Sequence, residues 1–273
     1  MIRYGFIGTG SMGSMLISGF IRSGLVAPVD ITASSKYGIS ARALAGKTGI
    51  IAAPDNRSVA AGAPILFICV KPLEVRGVLE EIRDVLRPGT LIISIAGCVD
   101  LNALGKWTRS DIRYVRVIPS ITAEQNSGIS LVAWGVTVQP EDKTLVLSLF
   151  NAIGSAVVMD EEELEICTNL TSCGPALIAA MIKEFGEAVV RSGAIRPERA
   201  EYFVKETMMG TARILAENQM TIDTVIERVA TKGGSTEEGV RIICSRLPKV
   251  MDEVHEALSA KRRLVAERVG NEK

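Results

Sequence analysis

The sequence predicts an α/β fold: a doubly wound sheet over residues 1–159, followed by an all-helical domain over residues 160–273. Three observations carry this. Short apolar, β-branched runs alternate with helical periods as far as residue 159; a glycine-rich turn closes the first run; and strand signals stop after residue 160. Runs this apolar suit strands covered by helices on both faces, as in a parallel sheet.

In chain order, Ile2 to Ile7 reads as a strand ending in glycines. Met12, Met15, Leu16, Gly19 and Phe20 then follow a helical period that stops at Gly24. Further strands are expected at Val29–Ala33, Ile50–Ala52, Ile65–Val70, Leu91–Ile95, Tyr114–Val117, Ile129–Trp134 and Ala156–Met159, with helices at Leu73–Leu86 and Asp142–Ile153. The helical part reads as Glu161–Ser192 with a break near Gly174-Pro175, then Arg199–Asn218, Ile222–Val229 and Glu237–Ala266. Small residues such as Ala176, Ala180, Gly186 and Gly210 allow these helices to approach closely, and apolar surface left over would suit a homodimer.

At 273 residues and 47 % hydrophobic, the chain can bury a sizeable core. Lys and Arg total 31 against 31 for Asp and Glu, which gives no electrostatic case for nucleic acid or an anionic membrane surface. The basic cluster Lys261-Arg262-Arg263 lies near Glu256, Glu267 and Glu272 and reads as a solvated helix face. No apolar stretch reaches the roughly 18 residues of a membrane span, and the N-terminus does not resemble a signal peptide. Five widely spaced cysteines without a CxxC, and a single His255, fit neither a disulfide framework nor a metal site. The expectation is a reduced, metal-free, cytoplasmic protein whose partner is a small molecule.

Gly8-Thr9-Gly10-Ser11-Met12-Gly13 matches G-x-G-x-x-G. The hexapeptide alone is weak; between a first strand and an amphipathic helix it reads as the dinucleotide turn of a Rossmann-type sheet. Gly8 would allow the tight turn, Gly10 the approach of a diphosphate, and Gly13 close helix–strand packing, with the helix N-terminus facing the phosphates. The second strand ends in Ser34-Ser35-Lys36 where an NAD site usually carries Asp or Glu. Two hydroxyls and a lysine suit a 2′-phosphate, so NADPH is expected, with NADH as the alternative.

Several segments, in order along nearly the whole chain, resemble the pyrroline-5-carboxylate reductase family. They are the glycine turn, Asn56 after Pro54-Asp55, Val70-Lys71-Pro72, Ser94-Ile95-Ala96-Gly97, Thr171-Ser172-Cys173-Gly174-Pro175-Ala176, and Val229-Ala230-Thr231-Lys232-Gly233-Gly234-Ser235-Thr236. The last two are similar to the family's S-G-S-G-P-A and V-T-S-P-G-G-T-T signatures. The resemblance implies that Asn56 contacts the adenosine ribose, that Val70, Lys71, Pro72, Ala96 and Gly97 line the cofactor cleft, and that the helical domain dimerises. It places the carboxylate and ring nitrogen of a cyclic imino acid on Thr231, Gly233, Gly234, Ser235 and Thr236, with Cys173 facing the substrate. Thr236 and Lys71 are the candidate catalytic residues. From the residues themselves, Gly233-Gly234 before a helix near Glu237 exposes successive N–H groups, a nest for a carboxylate, and Thr236 could cap that helix.

The implied reaction is hydride transfer from NAD(P)H to the C=N carbon of 1-pyrroline-5-carboxylate, giving L-proline. Such an imine can enter already protonated, which leaves no acid–base task for His255. Three segments depart from the family pattern: Ile118-Pro119-Ser120 where M-P-N is usual, Thr171-Ser172-Cys173 in place of Ser, Gly and Ser, and Lys232 in place of proline. The combination also looks like the divergent late-competence-associated reductase-like proteins of Gram-positive bacteria, with altered substrate or little turnover. Two further readings are a cofactor-sensing regulator and a β-hydroxyacid-type dehydrogenase using Lys183 as its acid or base.

Overall fold

The structure is a computed structural model in which residues 3–217 and 220–271 are described. It divides into two compact units. One holds the residues up to Pro175 together with those from Ser259 onward; the other holds Ala176–Leu258.

In the first unit, β1 (Tyr4–Ile7), β2 (Ile31–Ser34), β3 (Ile51–Ala52), β4 (Ile65–Ile68), β5 (Leu91–Ser94), β6 (Arg113–Ile118), β7 (Gly128–Trp134) and β8 (Gly154–Val158) form one sheet. Its order is β3-β2-β1-β4-β5-β6-β7-β8. The strands from β1 to β6 are parallel, β7 runs antiparallel to β6, and β8 is parallel to β7. The strand order reverses between β1 and β4, and a doubly wound sheet opens its ligand crevice at the carboxyl ends of such a pair.

Alternation along each strand feeds two cores, one per face. Phe6, Phe67, Val115 and Val117 enter the first, with Leu16, Phe20 and Phe150 from α1 (Ser11–Arg22) and α6 (Pro140–Asn151). Within it Phe6 stacks on Phe67 at 4.3 Å between centroids, and Phe20 meets Phe150 edge-on at 5.6 Å. Ile7, Leu66, Ile68 and Ile92 enter the second core. There they meet Val59, Leu79 and Leu104 of α3 (Asn56–Gly62), α4 (Val75–Ile82) and α5 (Leu101–Trp107). α7 (Glu161–Thr171) closes a smaller cluster through Leu164 against Leu131 and Ala133.

The second unit contains most of α8 (Gly174–Val190), α9 (Pro197–Glu217), α10 (Ile222–Val229) and α11 (Ser235–Asn271) as far as Leu258. At Gly186 α8 faces Val204 of α9, and an added Cβ would stand 3.5 Å from it, in ordinary contact. Large apolar side chains stay exposed here, among them Phe185, Tyr202 and Ile243. The end of α11 instead belongs to the sheet unit, where Val269 is buried in the second core. Among the described residues, no helix is long and apolar enough to cross a membrane.

Several local expectations are corrected. The run at Val29 starts as a 3-10 turn, Pro28–Asp30, so the strand begins at Ile31. The helix expected over Leu73–Leu86 is a 3-10 turn, Pro72–Glu74, followed by the shorter α4. The sheet is parallel only as far as β6. Three helices were not anticipated: α2 (Ile39–Thr48), α3 and α5. α2 buries only Ala41 and Leu44 between left-handed glycines, and α3 and α5 have seven residues each, too short to display a period. Ile2 and Asn218, the outer limits of two expected elements, lie outside the described residues, as does Glu272.

Candidate functional site

Gly8 follows β1 with φ +101°, and its N–H donates to the Ser34 carbonyl at 3.0 Å. A side chain at Gly8 would strike the Cys69 carbonyl, and a Cβ at Gly13 would stand 2.2 Å from the Gly8 oxygen. These two glycines are therefore required by the fold. Gly10 is different, because a Cβ there would meet nothing within 4 Å. The space is left open where α1 begins, and no side chain caps that helix. Its first N–H groups, on Ser11, Met12 and Gly13, have no intrahelical acceptor, a disposition that suits an anion. Thr9 is buried, its hydroxyl 2.7 Å from that of Ser40. Beneath the turn, burial pushes the Cys69 thiol up, so it stays protonated.

Beside the turn lies a cleft of about 470 Å³, lined by Gly8, Ser35, Lys36, Asn56, Val70 and Glu81, among others. Lys36 is exposed and ion-paired with Glu74 at 3.7 Å. Ser35 accepts the Ala41 N–H at 3.3 Å. Ser34 does not line the cleft as anticipated: it is fully buried and donates to Asn56 Oδ1 at 2.8 Å. Asn56 Nδ2 donates in turn to Glu81 at 2.8 Å. This Ser34–Asn56–Glu81 chain fixes the amide at the cleft wall. Glu74, at the end of the 3-10 turn, and Glu81, on α4, were missed because both read as ordinary solvated positions of a single helix.

After β4, Val70 lines the cleft, Lys71 is exposed, and Pro72 opens the 3-10 turn whose Glu74 carboxylate accepts the Lys71 N–H at 3.3 Å. After β5, Ala96 is buried and Gly97 has open space where a side chain would be. Ser120 is buried and accepts from the Thr122 hydroxyl at 3.0 Å.

In the helical signatures, the Cys173 N–H donates to the Thr168 carbonyl at 2.9 Å as α7 ends, and its side chain is half-buried. Thr231 and Gly234 close a turn at 2.9 Å, with Gly233 left-handed at φ +77°. α11 begins at Ser235, two residues earlier than expected, so Thr236 lies in its first turn and does not cap it. The Gly233 N–H is already occupied, donating to Glu237 at 2.6 Å. The turn thus holds a carboxylate, supplied by its own chain. Lys183, the alternative acid or base, is exposed and paired with Glu187 at 3.6 Å.

Arg262 was expected in solvent, yet it is four-fifths buried, bonded to Asn169 and Ser259 and 3.9 Å from Glu165. Glu165 also pairs with Arg116, which is 1 % exposed. The signal for this group was an arginine inside an otherwise apolar strand, Tyr114-Val115-Arg116-Val117-Ile118.

An uncapped helix start behind a glycine turn, set at the switch point of a doubly wound sheet, defines a dinucleotide-binding protein of the Rossmann type. Across its full 273 residues the chain is 33 % identical to pyrroline-5-carboxylate reductase 3 of Bacillus subtilis, covering all of both chains. It belongs to the pyrroline-5-carboxylate reductase family. Residues 3–97 match the family model described as NADP oxidoreductase, coenzyme F420-dependent, and residues 161–264 match pyrroline-5-carboxylate reductase dimerisation. A pyrroline-5-carboxylate reductase from Coxiella burnetii has a solved structure similar to this one, with TM-score 0.85 and 27 % identity over 98 % of each chain. ComE operon protein 4 of Bacillus subtilis is 28 % identical over 93 % of this chain and 92 % of its own. The resemblance to the competence-associated branch is therefore real, but it is no stronger than that to the reductases.

Proposed function

We infer that the chain reduces 1-pyrroline-5-carboxylate to L-proline with a hydride from NADPH. The observation that carries this is the full-length relationship to a reductase of that name, joined to a glycine turn left open at Gly10. That opening and the uncapped start of α1 fit a diphosphate, and the cleft beside them fits an adenosine.

The amides from Gly8 to Gly13 would hold the diphosphate, Ser35 and Lys36 the 2′-phosphate, and Asn56 the ribose. Val70, Lys71 and Pro72 would line the cofactor cleft, and Ala96 and Gly97 its nicotinamide end. When bound, the reduced nicotinamide supplies the hydride. Thr231, Gly233, Gly234, Ser235 and Thr236 would take the substrate carboxylate and ring nitrogen, and the family resemblance assigns Cys173 to the substrate as well. For Gly233 this means exchanging the Glu237 carboxylate for that of the substrate. Hydride addition forms one C–H bond at the imine carbon, and the nitrogen of a protonated imine keeps its proton, so the chain's task is orientation and charge complementarity. We assign cofactor binding to residues 1–159 and substrate binding and homodimerisation to residues 160–273, in a cytoplasmic enzyme. The two family matches, on either side of that boundary, support the division.

The test is loss of reduced-nicotinamide absorbance with pyrroline-5-carboxylate and NADPH or NADH. Thr236→Ala should raise KM for the imine about tenfold, the worth of one hydrogen bond, while NADPH affinity stays within about twofold. Equal loss of both would contradict the role given to Thr236.

A further inference from the structure

An arginine buried in a strand needs a reason. Tyr114, Val115, Val117 and Ile118 of β6 are buried apolar residues, and Arg116 among them is 1 % exposed. Its Nη1 donates to Glu161 Oε1 at 3.0 Å, and its Nη2 donates to Glu165 Oε1. Each of those carboxylate oxygens also accepts a main-chain N–H. Glu165 Oε1 takes that of Cys98 at 3.0 Å, and Glu161 Oε1 takes that of Leu101 at 2.8 Å. The two carboxylates therefore grip both ends of the short segment between β5 and α5, directly after Ala96-Gly97.

That segment is held in an unfavourable shape. Cys98 has φ +63°, one of two non-glycine residues at positive φ among those described. A left-handed non-glycine residue costs about 1 kcal/mol or more and persists only where its surroundings impose it. Arg262 adds a second cation near Glu165 Oε2 and is itself tied to Thr168, Asn169 and Ser259. Stability alone does not explain the group, because well-packed apolar side chains usually replace a buried ion pair without loss. What apolar side chains could not do is accept the Cys98 and Leu101 N–H groups. An opening of about 780 Å³ lies over this cluster, while Arg116 Nε and Glu165 Oε2 are themselves buried.

We propose that Glu165, locked by Arg116, is a positioning residue that fixes the Ala96–Leu101 turn against the nicotinamide end of the cofactor. This rests on the reading of Ala96 and Gly97 as lining that end. Glu165 acts only through the turn, so the adenosine half of the cofactor is indifferent to it.

The experiment uses the full chain with Glu165→Ala and Glu165→Gln, the second keeping an acceptor for the Cys98 N–H. Three readouts are taken: amide exchange at Cys98, affinity for NADPH against affinity for 2′,5′-ADP, and kcat. In Glu165→Ala, Cys98 exchange should rise and NADPH affinity and kcat should fall about tenfold, with 2′,5′-ADP binding within about twofold of the parent; Glu165→Gln should recover most of each loss. The proposal is overturned if Cys98 exchange is unchanged, if 2′,5′-ADP binding falls in step with NADPH, or if Gln is as damaging as Ala. Should Glu165→Ala not fold, Glu165→Leu fills the volume, removes the acceptor and is read the same way. A parent protein without turnover would refute the reductase reading alone, since exchange and the NADPH-to-2′,5′-ADP comparison still decide the positioning role.

Discussion

Gly10 and Gly13 stand three residues apart, yet their geometry assigns them opposite tasks. A methyl group at Gly13 would lie 2.2 Å from the Gly8 carbonyl oxygen, so backbone must move. A methyl group at Gly10 meets no protein atom, and its φ of −70° suits alanine. Gly10→Ala should therefore cost about 1 kcal/mol or less of stability, the price of a poorer helix cap, while NADPH affinity falls at least about tenfold. Gly13→Ala should lose thermal stability and affinity together. Thermal melts and fluorescence titration of NADPH separate the two; a Gly10→Ala protein as unstable as Gly13→Ala would contradict the distinction. The glycine spacing was legible in the sequence because the motif is contiguous. Which glycine serves the ligand and which the fold depends on where Cys69 and the Gly8 carbonyl come to lie.

Among the elements, α3 shows how a short helix is held and how pH acts on it. Asp55 caps it, accepting the Ser58 N–H at 2.7 Å, and that bond holds the Asp55 carboxyl below its usual range. A carboxylate whose folded pKa is lowered stabilises fully above its unfolded pKa of about 4, and the contribution disappears as pH falls through the lower folded value. Asp55→Ala should be less stable than the parent near neutrality, and the two should converge in acid, measured by urea midpoints across pH. A gap that widens in acid would exclude the cap as its source. In the sheet, Phe67 stacks on Phe6 at 4.3 Å in a face without solvent, so Phe67→Ala should cost about 3–5 kcal/mol in urea unfolding. The long strands and helices were legible from their periods. α3 and α5 were not, although Asp55 and Asp100, their capping residues, carried the only local signal.

At the scale of the whole molecule, the chain returns on itself: α11 leaves the helical unit at Ser259 and ends in the core of the sheet unit. Ending the chain at Leu258 removes Val265 and Val269 from that core and Arg262 from Glu165. Burial of two valines suggests a loss of about 2–4 kcal/mol, seen as a lower melting temperature of the sheet unit. An unchanged melting temperature would place the end of α11 outside that core. Light scattering should return a dimer or larger assembly, as expected from the exposed Phe185, Tyr202 and Ile243.

The sequence by itself determined the alternation of strands and helices, the glycine turn, and the order of the family segments, because each is written in contiguous residues whose periods and backbone freedoms are local. Tertiary structure alone decided that Ser34 is buried behind Asn56 and that Arg116 and Arg262 meet at Glu165. Those outcomes join residues as far as 97 positions apart, and hydrogen-bond partners at such separations are chosen by how the layers stack, which no local pattern records.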